Sequence, residues 1–150
     1  MTSDTRPHCR TWRLIAPLAV LLLLSPSGCD SGSGSLHKVS GKVTVDGAPL
    51  TTGTVRFVPD KDKGNKATTE PTGQIGTDGT YSLMTDGKSG APAGWYKVTI
   101  SASEVPESSK PFSGKSLVAA KFNDPAASGL AVEVVSSPKA GAYDLQATAK

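Results

Sequence analysis

From Leu36 onward the apolar residues come in short runs that alternate with polar ones, and Gly, Pro or Asp interrupts each run within a few residues. Alternation with period 2 puts one set of side chains on each face of a strand, as in an antiparallel sheet with one wet face. Val39, Gly41, Val43 and Val45 share one face of a first strand, opposite Ser40, Lys42 and Thr44. Asp46-Gly47 supplies the positive backbone angles of a tight hairpin turn. Gly53 to Pro59 points Val55 and Phe57 inward and ends at a proline that has no ladder donor. Gln74 to Thr77, Asp78-Gly79 and Thr80 to Met84 read as a compact hairpin. The strongest run follows, with Tyr96, Val98, Ile100 and Ala102 inward and Trp95, Lys97, Thr99 and Ser101 outward. Leu117 to Phe122 is expected as a short edge strand, and Leu130 to Val135 and Tyr143 to Thr148 complete the sheets. Residues 60–71 are expected as a long solvated loop, Asp86 to Ala93 as a second loop, and 103–116 as a mobile excursion. No window of about 11 or more residues keeps a helical stripe. The expectation is an all-β fold: one antiparallel β-sandwich of about seven strands.

The start of the chain is of another kind. Arg6, Arg10 and Arg13 precede an apolar stretch from Leu14 to Leu24, broken only by Pro17, and then Ser27-Gly28-Cys29. A membrane span needs about 20 apolar residues, so this stretch has the length of a signal h-region instead. The arrangement resembles a bacterial lipoprotein signal peptide, in which the cysteine is acylated after cleavage. Pro26 departs from the Leu that usually stands three places before that cysteine, so cleavage near Ser27 without lipid, or an uncleaved anchor, stay open. The organisation expected is residues 1–28 as signal peptide, 29–35 as lipidated Cys29 and tether, and 36–150 as the sandwich. Asp30 to Ser35 is small and polar, with no side chain to bury, as in flexible linkers. This places the body in the cell envelope, tethered to a membrane and facing the periplasm or exterior, or secreted. Asp30 after the cysteine resembles an inner-membrane retention signal.

Removing the leader changes two inferences. Cys9 leaves with it, so Cys29 is the one remaining thiol and no internal disulfide supports the domain. The net charge of +3 comes largely from the leader, because residues 30–150 hold 13 Lys and Arg against 12 Asp and Glu. A near-neutral body without clustered Arg gives no electrostatic footprint for nucleic acid.

Val39 to Leu50, Gly53 to Pro59, Thr77 to Leu83 and Ala93 to Ile100 together resemble the carboxypeptidase regulatory-like domain. Lys121-Phe-Asn-Asp-Pro-Ala-Ala-Ser-Gly-Leu130 is further similar to a C-terminal signature of small bacterial envelope lipoproteins built on it. The resemblance implies a transthyretin-like, prealbumin-type fold and a non-catalytic accessory or adhesion-like module.

The residues themselves point away from catalysis. A zinc peptidase needs two or more His with a carboxylate, and a Ser nucleophile needs a base oriented by a third group. After the leader His37 is the one histidine. Asp60-Lys-Asp-Lys-Gly-Asn65 departs from a helix-flanked calcium loop, with Gly64 fifth and Pro71 twelfth. No catalytic residue, metal site or cofactor is therefore expected. Trp95 is the candidate contact: an outward indole either stacks on a sugar or a protein partner, or is covered by the 103–116 loop. Three functions follow: a lipid-tethered module that binds or scaffolds an envelope protein or polymer, a carbohydrate-binding module, and a small periplasmic hydrolase dependent on His37.

Overall fold

A computed structural model describes residues 35–104 and 114–150. The architecture is all-β and sandwich-like, with twelve short strands among the described residues where the sequence pattern resolves about seven runs. One sheet has six strands in the order β11-β10-β4-β5-β7-β8. These are Ala131–Val134, Gly94–Ser101, Thr54–Pro59, Thr72–Gln74, Met84–Thr85 and Lys88–Ser89. The second sheet has β12 (Leu145–Ala147), β2 (Ser40–Val45) and β3 (Ala48–Pro49), with β6 (Thr80–Ser82) also paired to β2. A ribbon of β1 (Leu36–His37) and β9 (Ala91–Pro92) stands beside them. Among the described residues all pairings are antiparallel except β12 on β2, where Leu145 lies opposite Val43 in parallel register. The chain leaves β11 in one sheet and crosses to the other before β12, and such a crossover permits a parallel neighbour.

The alternation read from the sequence sets the core. Tyr96, Val98 and Ile100 of β10 are fully buried, as are Val55 and Phe57 opposite them on β4. Phe57 lies between the sheets, its ring centroid 5.7 Å from Tyr96 and 6.4 Å from Tyr81 of β6. Each such apolar side chain contributes about 1.5–3 kcal/mol on burial. Asp46 and Gly47, at φ 49° and 87°, make the expected turn between β2 and β3.

Four expectations are corrected. Asp86 and Gly87 repeat that turn at φ 49° and 78°, so Asp86 to Ala93 is a β7–β8 hairpin followed by β9 and not a loop. The 60–71 segment is not simply solvated, because Asp60 and Asn65 are buried and a 3-10 turn spans Lys61–Lys63. Leu117 to Phe122 forms no strand: the chain turns into a 3-10 helix at Ala120–Asn123 that drops Phe122 into the core. The 74–84 hairpin closes through the Ile75–Tyr81 bridge, yet its arms divide, β5 joining one sheet and β6 the other. Apolar alternation gives each arm an inner face but does not say which sheet supplies its neighbour. The base of the 103–116 excursion is held by the Ser103–Ser116 bridge and by Glu104 N–H donating to Lys115 O at 3.0 Å. Its residues 105–113, like the leader and Cys29, lie outside the described residues.

Within the second sheet β2, β6 and the start of β12 meet at a corner built on Gly41. The Tyr81 hydroxyl donates to Tyr143 O at 2.6 Å inside the core. A Cβ on Gly41 would overlap that same carbonyl and approach Tyr81 Cε1 to 3.1 Å, so only glycine lets β2 pass. Desolvation raises the Tyr81 pKa above its ordinary value, and the nearby Asp144 carboxylate adds to the effect.

Candidate functional site

Two regions bear on function: the outer face around Trp95 and a cleft beside the Lys121–Leu130 segment. On β10 the pleat sends Trp95 outward, opposite Glu133 of β11, as the alternation requires. The indole is half-buried. Lys63 Nζ lies 3.6 Å from the ring centroid, a cation–π contact that caps one face. Among the described residues Trp95 is covered by Lys63 of the 60–71 segment, while residues 105–113 of the loop expected to fold over it lie outside the described residues.

That segment is fastened to the Trp95 backbone. Trp95 O accepts from Asp60 N–H at 2.9 Å and from Asn65 Nδ2 at 2.8 Å. Asn65 Oδ1 in turn accepts from Ala67 N–H at 3.0 Å. Gly94 has φ 141°, and a Cβ there would come within 2.9 Å of the Asn65 amide, so glycine admits the clamp. Beside it Lys97 Nζ lies 3.0 Å from Asp62 Oδ2 and 3.6 Å from the buried Asp60 Oδ1. The hydrogen bond that Lys97 donates to Asp62, then the charge of Asp60, raise the Lys97 pKa. The ammonium occupies the space between these two carboxylates. Among the described residues no three His, Cys, Asp or Glu side chains are grouped to hold a metal ion.

His37 pairs with Ala91 at the β1–β9 ribbon, and its Nε2 is 3.5 Å from the Ser35 hydroxyl. That separation is at the limit for a hydrogen bond, and among the described residues no carboxylate is hydrogen-bonded to the ring to orient it as a base.

The cleft has a volume of about 510 Å³, within the range of roughly 300–1,000 Å³ for ligand sites. Thr44, Asp46 and Gln146 come to it from β2, its turn and β12, and Lys121, Ser128 and Leu130 from the segment after the excursion. That segment straps the two sheets together. Ala119 N–H donates to Thr148 O at 2.9 Å on the β12 side, and Val98 N–H donates to Leu130 O at 2.9 Å on the β10 side. Sequence reasoning marked Lys121 to Leu130 as a signature but assigned it no site, because its partners on β2 and β12 are remote in the chain. Lys63 and Asn65 were missed for the same reason. Compared with protein-family models, with curated proteins and with solved structures, the chain matches none.

Proposed function

We propose that this chain is an extracytoplasmic lipoprotein, held to a membrane by acylated Cys29, whose transthyretin-like sandwich binds or scaffolds an envelope component without chemistry of its own. The observation that carries the reading is the position of the fold relative to the cysteine. Among the described residues the first strand pairing is at Leu36–His37, and six residues, 30–35, lie between it and Cys29 in the sequence. Six residues reach about 20 Å when fully extended, so an anchor at Cys29 holds the β1–β9 end of the body close to the headgroups. One acyl chain gives marginal binding at about 0.8 kcal/mol per buried CH2, and the several chains of a bacterial lipoprotein make the attachment lasting. The mixed lining of the cleft and the capped indole supply contact surfaces for a polymer or protein. Nucleic acid is not the expected partner, since the body carries 13 basic against 12 acidic residues.

The test is metabolic labelling of cells that express the chain with a palmitate analogue. The expected result is label on the wild type and none on Cys29→Ala, with the variant moving from the membrane to the soluble fraction. Unlabelled wild type, or a variant that stays with the membrane, overturns the proposal.

A further inference from the structure

We infer that the cleft between the strap and the β2–β12 edge is a binding site for an acidic saccharide, a pyranose carrying a carboxylate. The inference rests on reading the sandwich as a binding module and names the class of ligand and where it sits.

The anion-selecting group is Lys121. Its Nζ stands 4.9 Å from the centroid of the buried Phe122 ring and makes no ion pair with a described carboxylate. The nearest acid in sequence is turned away: Asp124 Oδ1 accepts Ala126 N–H at 2.8 Å, closing its own turn. An ammonium resting on an apolar ring is partly desolvated on that side, which strengthens its attraction for an incoming carboxylate. Across the cleft Asp46 accepts Ala149 N–H at 3.1 Å through Oδ2, and Oδ1 makes no hydrogen bond with a described residue. That oxygen suits a hydroxyl donor. The exposed Gln146 amide beside Thr44 offers both a donor and acceptors. Ser128 is buried, and its oxygen accepts Leu130 N–H at 3.3 Å, a bond that uses none of its own hydrogen. One cation, one carboxylate, an amide and hydroxyls around a small apolar floor match a sugar acid.

A peptide is the main competitor for this chemistry, and the edge argues against it. An extended peptide binds by adding to free backbone groups of an edge strand. Beside the cleft the next acceptor beyond β12, Thr148 O, already holds Ala119 N–H, which shortens the run of backbone groups a peptide could add to. The Trp95 face is a weaker sugar platform, because Lys63 covers one side of its ring.

The experiment is an amide-resolved NMR titration of the full chain in detergent micelles. The probes are trigalacturonate, its neutral methyl ester and trialanine. Expected are shifts at Asp46, Lys121 and Gln146, and binding of the acid at least 10-fold tighter than the ester. Lys121→Gln, at an exposed position, should lose that 10-fold with its spectrum otherwise intact, and Gln146→Ala should weaken acid and ester alike. Trp95→Ala should stay within 2-fold. Equal binding of acid and ester, preference for trialanine, shifts centred on Trp95, or no binding overturns the inference. Acylated Cys29 without uronate binding overturns this site and leaves the anchor standing; binding without acylation does the reverse.

Discussion

Replacing Tyr81 with Phe removes one oxygen from the corner where β2, β6 and the start of β12 meet and leaves the ring packed on Phe57. The lost bond is the 2.6 Å donation to Tyr143 O, and both tyrosines are at most 3% exposed, so no water replaces the donor without opening the core. An orphaned buried carbonyl costs about 1–3 kcal/mol. For a domain of this size 1 kcal/mol shifts the melting midpoint by about 3–6 °C, and chemical denaturation at neutral pH should show a loss of about 1–3 kcal/mol with unchanged slope. The pH dependence is a second, independent signature. Burial raises the Tyr81 pKa, so the folded state favours the protonated phenol. That stabilisation is complete below the unfolded value of about 10 and is lost as pH rises beyond it. The phenylalanine variant cannot ionise there, so the gap between the two proteins should narrow from pH 9 to pH 11. A gap under about 0.3 kcal/mol at neutral pH, or one that widens in alkali, refutes the corner as described.

Three further outcomes follow from other contacts. In a Trp12→Phe background, Lys63→Ala should expose the Trp95 indole, shifting its emission to the red, raising acrylamide quenching and costing about 0.5–1 kcal/mol. Unchanged emission would remove Lys63 as the cap. Lys97→Met deprives the buried Asp60 of its cation, and a denaturant melt should show a small but measurable loss of stability, small because solvent screens the exposed lysine. Wild-type stability from this pair should hold below about pH 10 and fall as pH rises through the raised Lys97 value, a trend the variant should lack. Gly41→Ala should fail to give a cooperative unfolding transition, since the methyl overlaps Tyr143 O; a cooperative melt near the wild-type midpoint would show that the corner can shift.

The strands that carry the core were legible because their side chains answer to a period of 2. Val55, Phe57, Tyr96, Val98 and Ile100 all lie inward as the pattern requires. Turn chemistry was legible at Asp46-Gly47, while the same dipeptide at Asp86-Gly87 was read as loop because its flanking strands are only two residues long. What stayed hidden depends on contacts between remote residues. Nothing local in Asp60 to Asn65 announces that Trp95 O will hold two of its donors. Phe122 reads as a strand residue in the sequence, because one apolar aromatic in a short run fits a strand and a 3-10 turn equally. The cleft was invisible, since its walls come from β2, β12 and the strap, and no spacing in the sequence relates them.

The anchor is tested most directly by the mass of the mature amino terminus, measured on protein extracted from membranes and cleaved within the tether or first strand. The account predicts a peptide that begins at Cys29 and carries the added mass of a diacylglyceryl thioether. An unmodified peptide beginning near Ser27, or one that retains Arg13 and the apolar stretch after it, contradicts it.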